Sequence, residues 1–166
     1  MSFTENDYER AIIPLFENMG YLHLYGPKIE RDYFTPFYEE QLIDSLRIIN
    51  PDKPKIAINE AITKLRNIET GNLVQKNELF TDYLQHGIEV SYYDGKEQRH
   101  DIVYLIDYKH VNNNSFQIIN QWTFVEHSEK RADIIVFVNG LPLIVVELKS
   151  PSREETDASE AYRRLS

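Results

Sequence analysis

No cysteine occurs anywhere in the 166 residues. Disulfides and thiolate zinc sites are therefore excluded, and a reducing compartment, the cytoplasm, is the expected setting. Long apolar runs are missing too: none reaches the roughly 18 residues that a membrane helix requires, and the first residues carry no signal-peptide pattern. Basic charge is in deficit. With 18 Lys and Arg against 27 Asp and Glu, the net charge is −9, which argues against strong stand-alone binding to nucleic acid by electrostatics. Repeats, low-complexity tracts and clear linkers are absent. What is present is 42% apolar residues, enough for a globular core, at a length that fits a single domain over 1–166.

The first half, about 1–86, reads as mainly helical. Residues 4–19 suit an amphipathic helix capped by Thr4 and Asp7, with Tyr8, Ile12, Leu15, Phe16 and Met19 on one stripe and Gly20 as the stop. Pro14 lies inside it and predicts a kink or break. Glu5 and Glu9, one turn apart, read on their own as solvated carboxylates favoured by the helix dipole. Tyr21–Tyr25 alternates weakly and suits an edge strand. Thr35-Pro36 looks like a helix start with Tyr38, Leu42 and Leu46 inward. Further helices are expected over 56–68, with Ile58, Ala61, Ile62 and Leu65 inward, and over 73–84. From Gly87 the period changes. Strands are expected over 88–93 and 98–108 around an Asp94-Gly95 turn, then over 116–125. A last helical composition covers 154–165. Helices, then a mainly antiparallel or mixed sheet, then a helix give a mixed α/β (α+β) fold.

Lys130–Pro151 is the stretch around which the rest is organised. Two Ile/Val-rich runs, 133–138 and 143–149, flank Asn139-Gly140 and read as buried strands. Asp133, Glu147 and Lys149 stand in that apolar frame, where an uncompensated charge costs several kcal/mol. Residues two apart on a strand share a face, so Glu147 and Lys149 point the same way. Two convergent carboxylates repel unless a dication lies between them. Magnesium suits such hard oxygen donors, and a nearby ammonium can orient or deprotonate a water, or stabilise developing charge. Face parity imposes a condition. A plain two-residue Asn139-Gly140 turn would set Asp133 opposite Val146 and on the wrong face for Glu147. A three-residue loop, Val138-Asn139-Gly140 with Gly140 left-handed, or an equivalent one-residue slip, brings Asp133 onto the face of Glu147 and Lys149.

The string RADIIVFVNGLPLIVVELKSP, over 131–151, resembles the nuclease motif of the restriction (R) subunit of type I restriction-modification enzymes, within the PD-(D/E)xK nuclease superfamily. Gly20-Tyr21, Asn50-Pro51, Asn77 with Phe80 and Gly87, Leu105-Ile106-Asp107, Asn113–Phe116 and Asn120-Gln121 are similar to that family's N-terminal region as well. The resemblance implies a restriction-endonuclease-like core. It makes Asp133 and Glu147 metal-binding carboxylates, Lys149 the catalytic lysine, and Glu9, or else Glu5, an added acid from the first helix. The function implied is Mg2+-dependent cleavage of double-stranded DNA away from the recognition site. Translocation would be driven by ATP in motor domains outside this chain, and the methyltransferase and specificity subunits would be partners. The chain departs from the family in two places. Ala132 replaces the proline that often precedes the Asp, and Arg164 falls at the glutamine of a Gln-x-x-x-Tyr element whose tyrosine lies past the last residue. No G-x-x-x-x-G-K-[ST] phosphate loop occurs, so the chain looks like an excised N-terminal nuclease domain.

Other features have plainer readings. His23, His86, His100, His110 and His127 show no ligand spacing, and Trp122 and the tyrosines suit packing. Lys130, Arg131 and Arg164 are candidates for phosphate contacts. Two alternatives stay open: a repair or junction-resolving nuclease on the same core, and a non-catalytic interaction domain in which Glu147 and Lys149 form an ion pair.

Overall fold

The computed structural model describes residues 4–68, 72–125 and 128–149. Their elements run α1 (Glu5–Asn18), β1 (Leu22–Tyr25), α2 (Glu39–Ile49), α3 (Lys55–Arg66), α4 (Leu73–His86), β2 (Ile88–Asp94), β3 (Glu97–Val103), β4 (Phe116–Val125), β5 (Glu129–Val138) and β6 (Leu141–Val146). One sheet has the order β1-β4-β5-β6 and a second pairs β2 with β3. β1 lies parallel to β4 and every other pairing is antiparallel, which makes the fold mixed α/β as expected. The helix expected over 154–165, Arg164 included, and the Glu5 side chain lie outside the described residues.

The first helix corrects two expectations. α1 runs unbroken through Pro14. The proline and Arg10, whose carbonyl loses its partner, are both exposed, so water can satisfy the freed group. The expected apolar stripe is only half there: Tyr8, Ile12 and Phe16 are half-buried, whereas Leu15 and Met19 are exposed. Glu9 is buried in their place, at 9% exposure. Phe16 packs edge-on against Tyr21 at 5.1 Å, and Tyr21 against Phe116 at 5.6 Å, docking the end of α1 onto the start of β4.

Two more boundaries moved for local reasons. α2 starts at Glu39 rather than at Pro36. The Asp32 carboxylate accepts from Phe34 N–H at 3.0 Å and Thr35 Oγ1 at 3.4 Å, holding 32–35 as a turn. β3 ends at Val103 rather than near Tyr108. Beyond it the Asn50 side chain takes both main-chain groups of Tyr104, at 2.8 and 2.9 Å, standing in for a neighbouring strand. The hairpin turn before β3 is Gly95-Lys96, because Asp94 still pairs with Glu97.

Two cores result. Leu42 and Leu46 of α2, Ile58, Ala61, Ile62 and Leu65 of α3, and Ile88, Val90 and Val103 of β2 and β3 form the first. The period-3.6 spacing of the helical members is what puts them on one side. Ile119, Trp122, Ala132, Ile135 and Phe137 form the second, with Leu24 and Tyr38 against them. No described helix is long and apolar enough to cross a membrane.

Candidate functional site

The β5–β6 hairpin is built from its turn outward. Asn139 and Gly140 both have positive φ, 54° and 80°, and Val138 pairs with Leu141. This is a two-residue turn, so the three-residue loop considered from the sequence does not form. The turn is locked from two sides. Asn139, fully buried, accepts from Ser115 N–H at 2.8 Å through Oδ1 and donates through Nδ2 to the Leu105 carbonyl at 2.9 Å and Asn114 Oδ1 at 2.8 Å. Gly140 accepts from Tyr38 N–H at 2.9 Å, and a Cβ on it would come within 2.5 Å of the Tyr38 carbonyl oxygen. Only glycine fits there.

The register then slips by one. Phe137 pairs with Pro142, but Val136 pairs with Ile144, leaving Leu143 as a bulge residue. Proline cannot donate to a ladder and is tolerated on edge strands and at bulges, which explains the location. Leu143 turns its side chain into the first core. Past the bulge, Ile135 pairs with Val145 and Ile134 with Val146. One further step along this register, past the last pair, would set Asp133 across from Glu147. The slip therefore sits inside β6 and not in the turn.

β6 stops at Val146, short of the Lys149 expected. Leu148 N–H donates to Asp133 Oδ2 at 2.7 Å instead of to a main-chain carbonyl. The aspartate side chain thus ends the ladder and ties the Glu147–Lys149 segment to β5. Asp133 is half-buried; Glu147 and Lys149 are exposed. Lys130 and Arg131 are exposed at the start of the same strand, paired with Phe124 and Thr123 of β4.

Glu9 is not a solvated carboxylate. Its Oε1 accepts from Asn120 Nδ2, and its Oε2 accepts from Gln121 Nε2 at 2.8 Å. Adjacent residues of a regular strand point to opposite faces, yet these two amides serve one carboxylate. They do so because Gln121 has φ of 56°, left-handed backbone that a non-glycine residue rarely adopts. His23 of β1 contacts Asn120 Oδ1 through Nε2 at 2.9 Å. The kinked main chain also crowds Gly26, where a Cβ would meet the Gln121 carbonyl oxygen at 2.6 Å. Between the Asn120–Ile134 and Trp122–Ala132 pairs, the register leaves Gln121 facing Asp133. Ile119 and Trp122 share one core cluster, and so do Ala132 and Ile135, each pair three apart. Strict alternation would separate them, so both strands break step at the level of Asp133.

Asp133 and Glu147 are thus the residues next after the last ladder pair, Ile134–Val146, Lys149 follows two residues on, and Glu9 reaches the level of Asp133 through Gln121. Among the described residues, no three His, Cys, Asp or Glu side chains converge to hold an ion. Next to this end, the Arg31 guanidinium lies 3.5 Å from the Trp122 ring and also over Tyr33, donating to the carbonyls of Thr123 and Thr35. Burial pulls its pKa below the ordinary value. From the sequence, Asn120-Gln121 enters only as part of the family resemblance and His23 only as a histidine without ligand spacing; their meeting around Glu9 was not foreseen. A physical signal was also there: a polar Asn-Gln pair inside an otherwise apolar strand, with asparagine among the residue types that strands disfavour.

Residues 2–166 match the family model for the type I restriction enzyme R protein N terminus. The type I restriction enzyme HindI endonuclease subunit of Haemophilus influenzae is 32% identical over 97% of this chain, which spans 16% of that protein. The EcoprrI endonuclease subunit of Escherichia coli is 25% identical over 98% of the chain and 49% of its own length. A Staphylococcus saprophyticus type I endonuclease subunit, SsaAORF53P, is 38% identical over 38% of the chain and 7% of its own length.

Proposed function

We propose, from the premise that this chain belongs to the type I restriction enzyme R protein N-terminus family, that it is the nuclease region of such a subunit and hydrolyses double-stranded DNA. The observation that carries this reading is the one-residue slip in β6, after which Ile134 pairs with Val146; Asp133 and Glu147 come next on their strands, and the Leu148 amide on Asp133 ties the segment that carries Lys149 to the same end.

The donors fit a hard divalent cation such as Mg2+: two carboxylates from one face of a hairpin, with exposed space in front of Glu147 for the waters that such an ion keeps. When bound, the ion would supply charge neutralisation at the scissile phosphate and a more acidic water. The protein's own groups do the rest. Asp133, fixed by the Leu148 amide, and Glu147 would provide the oxygens. The Lys149 ammonium would stabilise charge developing on the phosphate oxygens, or, once deprotonated, take a proton from the attacking water. Lys130 and Arg131, exposed on the adjoining strand, would meet the DNA backbone.

The chain's −9 net charge is a poor attractor for DNA, so delivery falls to ATP-driven motor domains elsewhere in the subunit. Recognition of the target falls to the companion specificity and methyltransferase subunits. Cutting would accordingly occur away from the recognition site. The test replaces Asp133 or Lys149 by Ala in the intact subunit. Cleavage is expected to disappear while DNA-stimulated ATP hydrolysis persists; continued cutting by either variant would refute the assignment.

A further inference from the structure

We infer that Gln121 is a positioning residue for Asp133, and that Glu9 acts through it as an anchor rather than as a third ion ligand. This rests on the reading of Asp133 and Glu147 as the ion-holding pair. Four separate features converge on one irregular peptide of β4. Gln121 holds left-handed backbone without being glycine, a conformation that persists only where its surroundings enforce it. Glu9 of α1 supplies the enforcement by taking the amides of Gln121 and Asn120. His23 of β1 fixes the Asn120 side chain from the other side. Gly26 leaves the space that the displaced Gln121 carbonyl needs.

All of this lies where Gln121 faces Asp133, and where both strands lose their alternation. A regular β4 would carry Gln121 to the face away from Asn120 and would impose regular pairing on Asp133. The aspartate would then no longer be set by β6 alone. Glu9 has both oxygens engaged by amides, and no three-acid group forms among the described residues. Its role is therefore holding the kink. The carboxylate is suited to that task because each of its two oxygens accepts one amide, whereas a glutamine there would present a donor NH2 to one of them.

The experiment measures ion affinity directly. Trp122, the sole tryptophan, is the next residue along from Gln121 and can sensitise terbium luminescence, with displacement by Mn2+ giving affinities on the full chain. Gln121→Gly keeps the left-handed backbone sterically free but removes the amide. Gln121→Asn keeps an amide and tolerates the same φ. Asp133→Ala reports on the underlying reading. The inference expects Gln121→Gly and Glu9→Ala each to weaken Mn2+ about tenfold, the lower end for groups that orient ligands, measured at a temperature where circular dichroism shows each variant folded, because Glu9→Ala also leaves two amides unpaired. Gln121→Asn should restore most of the affinity, an outcome that a merely structural role would not produce. Parent-like affinity in Gln121→Gly alongside loss in Asp133→Ala would overturn the inference alone. Unchanged affinity in Asp133→Ala would overturn the ion site itself, and the inference with it. A loss of a hundredfold or more in Glu9→Ala, with Gln121→Gly unaffected, would make Glu9 a ligand and also refute the inference.

Discussion

The two ends of the β5–β6 hairpin are made of the same chain and built on opposite lines. At the turn end, both polar atoms of the Asn139 side chain are engaged and Gly140 is wedged against α2. At the other end, Asp133 closes the ladder with its side chain, and two charged residues stand exposed just beyond it. The rigid end fixes the register, and the register sets which residues come level at the open end. Buried hydrogen bonds left unmade cost 1–3 kcal/mol each, so the turn cannot drift, and the one-residue slip at Pro142-Leu143 is passed whole to Glu147.

The largest effect is expected from breaking the rigid end. Gly140→Ala would force a Cβ to within 2.5 Å of the Tyr38 oxygen at a φ of 80°, at a cost of about 3 kcal/mol or more. Chemical denaturation checks it, and a loss under about 1 kcal/mol would mean that the turn is not locked.

Changing the register between the ends comes next. Inserting one alanine after Leu143 demands a second slip; if the ladder realigns, Asp133 faces Val146. Cleavage by the intact subunit should fall by at least about a hundredfold, as for any misplacement on the ångström scale. Deleting Leu143 should do much less to cleavage. The hairpin becomes regular, yet Ile134 still meets Val146, and Asp133 and Glu147 stay next in line. Equal losses from insertion and deletion would show that register is not what matters.

The smallest effect concerns support for the turn. Asp107 accepts from His110 N–H at 2.8 Å, Asn113 Nδ2 at 2.8 Å and Lys109 N–H at 3.0 Å, and these bonds lower its pKa. A depressed folded pKa contributes stability that is complete above the unfolded value of about 4 and is lost as pH falls through the lower folded value. Asp107→Asn should therefore be less stable than the parent at neutral pH, with the gap closing below about pH 4. A gap that persists in acid would place the loss elsewhere.

Where the pattern is local, the sequence was readable. Phe116–Val125 is β4 to the residue, the four apolar positions expected inward on α3 are all buried, and Asn139-Gly140 makes the turn. Parity between Asp133 and Glu147 could be posed as a condition but not solved. It depends on whether proline's missing N–H is absorbed in the loop or in the strand. Glu9 misled for a related reason: the amides that bury it come from Asn120 and Gln121, more than a hundred residues away, and nothing on α1 announces them. Pro14 misled because the local rule prices a lost hydrogen bond as though water were absent.

The absence of native cysteine makes the central claim open to direct measurement. Oxidation of the Asp133→Cys/Glu147→Cys double variant, followed by mass spectrometry, asks whether the two positions face each other closely enough to bridge. The slipped register predicts an intramolecular disulfide in that variant and little in Asp133→Cys/Val146→Cys. The reverse pattern would contradict it.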